Sequence, residues 1–395
     1  MKKLGFFIML FLIILTILVV GKIEPEEKVV SKTDPIQSLL NSSDNGGTMI
    51  IPKGTYDINS KLIINRDNVT IDGSGSTLLC KSKITCLSLT GKNLILKNFK
   101  VNGNEIAKIG IQIEEGSSDV TLNNIEVFNI KDLKKSNWVY GINISASGCK
   151  NITIDGCYIH DIATLPNGIT GDSKGMDKGI MIGETSSKFT ESSQYINILN
   201  CKFERVGSLE DGSAIAIYGF KANSEDMNTC NFHVTIKNNY FNYCHKSFIK
   251  IMPCSYVSIE NNDFVNPYNS VKESMFSAIS VYGSHCEIIN NKVHGGYSIL
   301  GIELSVSGED DTTLQDVNIK GNNMVFKKSD NKIKNTVTKG IGLLGIGDIS
   351  NIDIQDNTIS GQMYGIVQSN NKVKNLNFKN NNILNALKDF IQFKS

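Results

Sequence analysis

Histidine and arginine are scarce in this 395-residue chain, five and two residues, and several of them recur in similar settings. His160, Arg205 and His245 each follow an apolar phrase of the same kind: Ile159-His160-Asp161, Phe203-Glu204-Arg205 and Phe241-Asn242-Tyr243-Cys244-His245. Arg205 is one of two arginines, the other being Arg66. Asp177 and Asp211 stand just before the apolar runs at Ile180 and Ile215, and Lys250 lies inside Phe248-Ile249-Lys250-Ile251. Tyr218, Tyr282 and Glu303 occupy equivalent runs. A base, a cation and carboxylates held together can abstract a proton beside a carboxylate and neutralise the enolate that forms. Hydrolysis instead needs two carboxylates, roughly 5 Å apart for retention or about 6.5–9.5 Å for inversion. Asp177 with Asp211, or Asp211 with Glu303, are the candidate pairs. The plain alternative is a solvated face, with Arg205 paired to Glu204 or Glu210.

A repeat must bring these residues together. Every 23 to 44 residues an apolar pair, a small polar corner and another apolar residue return, as in Leu122-Asn123-Asn124-Ile125 and Ile259-Glu260-Asn261-Asn262. The corners fall at 73, 98, 124, 156, 200, 238, 261, 290, 321, 356 and 380. Ahead of most corners lies a second run of period two, such as Gly141-Ile142-Asn143-Ile144. Alternation over four or five positions marks strands with one buried face, and a fixed unit with elastic insertions marks a solenoid. Asn and Gly accept the left-handed backbone of a sharp bend, and stacked Asn side chains can hydrogen-bond between coils. The chain therefore reads as all-β: a single-stranded right-handed parallel β-helix with a short N-terminal capping helix. In that stack the residues between the inward Ile and Val form an outward column: Gln112, Asn143, Met181, Ala216, Lys250, Ser280, Glu303, Gly342 and Val367. Glu114, Ser145, Tyr218, Met252, Tyr282 and Ser305 form the next one. Tyrosine rings there can stack on sugar faces.

Net charge is +1 and no basic stripe is present, which argues against a nucleic-acid partner. Residues 1–21 carry Lys2 and Lys3 before an uncharged run from Leu4 to Val20, the pattern of a signal peptide or an uncleaved membrane anchor. Residues 22–33 read as a tether and 34–395 as the β-helix domain, placed outside the cell. Nine cysteines cannot all pair. Cys157 and Cys201 read as stacked core residues, and Cys80 and Cys86 are spaced for a local disulfide. No Cys or His cluster suggests zinc. Asp172, Asp177 and Asp211 are oxygen donors of the kind calcium takes, without forming a clear site.

The order of the opening segment is specific. Asp34-Pro35-Ile36-Gln37-Ser38-Leu39-Leu40 precedes Gly46-Gly47-Thr48-Met49-Ile50-Ile51-Pro52-Lys53-Gly54-Thr55-Tyr56, then Val69-Thr70-Ile71-Asp72-Gly73. This cap, turn and first coil resemble the pectin-lyase-like superfamily, which includes pectate lyases, polygalacturonase-type hydrolases, alginate epimerases and tailspike depolymerases. The resemblance implies an extracellular protein that acts on or clings to a polysaccharide, commonly an acidic one, in a groove on one parallel sheet.

No one activity of that superfamily is spelled out. The hydrolase phrases Asn-Thr-Asp, Gly-His-Gly and Arg-Ile-Lys are absent. Tyr140-Gly141-Ile142-Asn143-Ile144-Ser145 resembles an epimerase phrase but carries Asn143 and Ser145 where that phrase has an acid and an imidazole. Two readings follow: a lyase or hydrolase acting on acidic glycans, or a non-catalytic surface protein that binds glycans.

Overall fold

Alternating Ile and Val place one side of each short strand inward, and the strands stack coil on coil. The computed structural model describes residues 35–42, 46–131, 138–163, 176–183, 192–207, 211–219, 231–244, 246–269, 274–306, 313–328, 333 and 336–392. The N-terminal apolar run, the tether, Asp172 and His245 lie outside them. Among the described residues the strands form a 12-stranded sheet and a 22-stranded sheet, and neighbouring strands in both run parallel. The larger sheet comprises two stacks that meet at the corners. A typical coil runs Ile109–Ile113 on the 12-stranded face, Ser118–Asn123 before the corner and Glu126–Lys131 after it. The all-β solenoid expected from the repeat is the observed fold.

The corners explain themselves physically. Of the eleven read from the sequence, ten hold a positive φ, from Asn98 at 58° and Asn124 at 52° to Asp356 at 57° and Asn380 at 55°. At the first, the positive φ falls on Ser74 and Gly75 instead of Gly73, and the strand bulges there. Left-handed backbone is cheapest for Gly, Asn and Asp, so these residues mark the bend.

The inward residue just past the corner forms a column that changes character along the rod. It runs Phe99, Ile125, Cys157 and Cys201, all buried, then Asn239, Asn262, Asn291, Asn322 and Asn357, exposed by 2% or less. From Asn239 to Asn322 each Asn donates from Nδ2 to the Oδ1 of the next, at 2.9–3.0 Å, so that from Asn262 onward each Oδ1 accepts from the Asn one coil before it. Each also donates to a main-chain carbonyl, as Asn291 does to Ile259 at 2.8 Å. Burying these amides is tolerable because their donors and acceptors find partners within the ladder.

Sheet edges need cover at the ends of a rod. Helix Pro35–Asn41 supplies it by seating Ile36 and Leu40 in the core. Its Gln37 side chain behaves like a strand: Nε2 donates to the Ile63 carbonyl at 2.8 Å, and Oε1 accepts from the Ile63 amide at 2.7 Å. Cys80 and Cys86 form a disulfide, and Cys149, Cys157, Cys201, Cys244, Cys254 and Cys286 are buried.

Candidate functional site

The outward column on the 12-stranded face has the register read from the sequence. Gln112 pairs with Asn143, Asn143 with Met181, Met181 with Ala216 and Ala216 with Lys250. Lys250 then pairs with Ser280, Ser280 with Glu303 and Glu303 with Gly342. Lys250 and Glu303 are thus two coils apart, about 10 Å at the usual strand spacing.

Asp211, at the start of its coil, is the hub of one cluster. Its Oδ1 accepts from Lys250 Nζ at 2.6 Å, and its Oδ2 accepts from Tyr218 Oη at 3.1 Å. Lys178 Nζ lies 3.4 Å from Oδ2 and also donates to the Asp211 main-chain carbonyl. Both ammonium groups lie over the Tyr218 ring, at 5.8 Å for Lys178 and 5.6 Å for Lys250. Lys178 is 1% exposed, and burial lowers its pKa to about 8 although Asp211 pulls it up. Burial pushes Asp211 up, but the two lysines outweigh it and hold the carboxylate below its ordinary range. Burial, then Asp211, raises the Tyr218 phenol far above its usual value. Lys250 has a side chain 20% exposed and is the cluster's outward-facing cation.

Glu303 anchors a second cluster above the first. It is 4% exposed and accepts from Ser280 Oγ at 2.9 Å and from Tyr282 Oη at 3.2 Å. Burial raises its pKa against those hydrogen bonds and the nearby lysines. Burial and Glu303 together raise Tyr282. A half-buried phenol backed by a buried carboxylate of this kind can pass a proton.

Other candidates lie elsewhere. His160 and Arg205 belong to strands Tyr158–Ala163 and Lys202–Val206 of the post-corner face, in the other sheet. His160 faces Asp161 from Nδ1 at 2.6 Å and Glu126 from Nε2 at 3.0 Å, and stacks on Tyr158 and Phe128. Arg205 grips Asp161 with both arms, Nε at 2.7 Å and Nη2 at 2.8 Å. These contacts make a surface network of the kind the plain reading expects, with Asp161 as partner in addition to Glu204. Asp177 is fully buried and accepts from the Val139 amide at 3.2 Å. Among the described residues no three His, Cys, Asp or Glu gather as metal ligands. Asp211 spends both oxygens on Lys250, Tyr218 and Lys178.

The sequence reading passed over Lys178, whose signal was its place at the head of the strand, one step before Gly179. It also passed over Tyr140, which pairs with Lys178 one coil below. Trp138 stacks on Tyr140 at 4.7 Å and carries Lys108 4.4 Å above its ring. These rings pack with Ile109, Met181 and Tyr218 in one apolar cluster on that face.

Comparison with known proteins agrees with this architecture. Residues 226–392 match the family model described as a right handed beta helix region. The fold is a right-handed parallel β-helix. The Azotobacter vinelandii mannuronan C-5 epimerase AlgE4 A-module superposes with a TM-score of 0.64 at 15% identity, over 91% of this chain and 94% of that one. Alginate lyase AlyF-OU02 gives 0.62 at 14% identity, over 89% and 76%. PfbA, a surface adhesin of Streptococcus pneumoniae, gives 0.58 at 15%, over 91% and 88%. No curated protein matches the sequence. Likeness at this level shows a shared fold, and the residues on its faces must carry the functional argument.

Proposed function

We propose that this is an extracellular polysaccharide-active protein whose 12-stranded face binds an acidic glycan and cleaves it by β-elimination. The observation that carries the reading is an outward-facing ammonium, Lys250, set one coil below the half-buried Tyr282 and two coils below the buried Glu303 that accepts from it. Lys250, steadied by Asp211, neutralises the substrate carboxylate and the enolate that grows on it. Tyr282 takes the adjacent carbon-bound proton while passing its own to Glu303, the electron pair left behind forms the carbon–carbon double bond, and the bond to the leaving oxygen breaks as that oxygen takes a proton from water. Support also comes from structural neighbours named as an alginate lyase and a mannuronan epimerase.

Incubating the full chain with a panel of uronate polysaccharides tests this. The unsaturated product absorbs in the ultraviolet, and the reading requires that signal on at least one member. A flat trace across the panel, with no new reducing ends, removes the catalytic reading. One observation favours the non-catalytic alternative, a glycan-binding surface protein: Asp211 and Glu303 are already engaged by side-chain donors. In that case the same face binds the polymer and leaves it intact.

A further inference from the structure

A second ladder runs up the pre-corner face, where each strand begins with a residue of positive φ. In most coils that residue is the inexpensive choice: Asn68, Asn93, Asp119 and Asn151 on one side, and Asp316, Asn351 and Asn375 on the other. Four consecutive coils between them carry Tyr195, His233, Tyr256 and His285 instead, at φ 59°, 46°, 64° and 52°. Bulky residues adopt this conformation at a cost, and such strain concentrates where a site requires a particular side chain.

The four rings form one continuous pile. Centroids are 5.1, 4.7 and 4.8 Å apart, with planes within 16°, 12° and 7° of parallel. His285 ends the pile against Asp316, 3.3 Å away. Stacked in this way, the rings cover each other's faces and turn their polar edges outward. Tyr195 and Tyr256 remain 52% and 41% exposed. Beside the pile the outward residues of the strands are Asn197, Thr235, Ser258 and Glu287, one per coil in register. Ring edges and this polar column line one groove of about 540 Å³.

We propose that this groove is a second carbohydrate site, taking a neutral, hydroxyl-rich glycan chain along the helix axis. Each of the four coils presents one ring, phenol and imidazole alternating, and one polar side chain beside it, which suits a ligand that repeats along its own length. Charge decides the class. The described lining holds Glu287 and Asp316 and no lysine or arginine, so acidic glycans and nucleic acids are disfavoured. The Lys250 face has the opposite preference. The strands bearing Lys250 and Tyr256 follow one another in a single coil, Ser247–Ile251 and then Ser255–Glu260. This inference does not depend on the elimination chemistry proposed above.

The test is affinity electrophoresis of the full chain in gels containing neutral polysaccharides, alongside thermal unfolding. Wild type is expected to be retarded by at least one polymer. The double variant His233→Asn, Tyr256→Asn installs the residue other coils use, so its unfolding midpoint should hold or rise while affinity falls at least ten-fold. Tyr256→Phe keeps the stack and removes one hydroxyl, and should weaken binding several-fold at unchanged stability. Lys250→Ala should bind the neutral polymer as wild type does. The proposal fails if wild type binds no neutral polymer, or if both ladder variants bind as wild type does. It fails too if the double variant loses stability and Tyr256→Phe binds normally, which would make the pile a structural prop.

Discussion

Lys250 and Asp211, 39 residues apart in sequence, meet at 2.6 Å on adjoining coils of the 12-stranded face. The same carboxylate neutralises Lys178, which has almost no access to water. Asp211 therefore has two duties, orienting an outward cation and compensating a buried one.

Removing that carboxylate separates the duties. Asp211→Ala leaves Lys178 as an uncompensated buried charge and should cost roughly 3–5 kcal/mol. The double variant Asp211→Ala, Lys178→Met should recover most of this loss. Chemical denaturation of the three proteins checks the order. Equal stability of wild type and Asp211→Ala would show that Lys178 is not compensated by Asp211.

Lys178 also predicts a pH dependence. Its folded-state pKa, lowered to about 8, lies below the value of an unfolded lysine. Between those two values the unfolded chain binds more protons, so this group's contribution makes stability rise with pH. The full gain is roughly 3 kcal/mol by linkage, part of it visible between pH 8 and about 9.5, before the raised tyrosines begin to oppose it. Unfolding midpoints across that interval should climb in wild type and flatten in Lys178→Met. A parallel slope in the two proteins would contradict the assignment.

On the post-corner face the prediction is structural. Burial alone would raise Asp161, but Arg205 and His160 draw its pKa well below the carboxylate range. This contribution is present above the unfolded value and fades as pH falls through the folded one. Because Arg205 is half exposed, Arg205→Ala should cost only about 1 kcal/mol at neutral pH. It should leave any activity on uronate polymers unchanged. Loss of turnover in a stable Arg205→Ala protein would return this face to the site.

The Asn ladder offers a third kind of test. Asn291 accepts from both the amide and the Nδ2 of Asn262, at 3.0 Å each. Asn291→Ala should therefore strand buried donors in the coil below and cost roughly 2–4 kcal/mol. Asn351→Ala, which removes an exposed amide at the start of a pre-corner strand, should cost much less. Urea midpoints for the pair give the comparison.

How much of this was legible follows from what the residues say locally. Corner positions were readable because left-handed backbone is written in Asn and Gly. The outward column was readable because period two and the Ile pairs fix register; Lys250, Ser280 and Glu303 align as expected. The post-corner strands broke that logic. Asp161 and Arg205 themselves take positive φ, at 55° and 53°, so a second bend puts two successive residues outward. Neither residue type announces such a bend, and spacing alone did not place Arg205 on the post-corner face. Lys178 was missed for the reverse reason: a lysine at a strand head reads as solvent-facing, and only the stacked coils show it enclosed. Tyr195, His233, Tyr256 and His285 were hidden because aromatic residues do not signal a left-handed position.

Whether the 12-stranded face is the acidic-glycan site is decided most directly by titrating purified uronate oligosaccharides into the full chain and its Lys250→Ala variant by calorimetry. The account predicts binding to wild type, at least ten-fold weaker binding to Lys250→Ala, and wild-type affinity in Arg205→Ala. Equal affinity of wild type and Lys250→Ala, in proteins with matching unfolding midpoints, would contradict it.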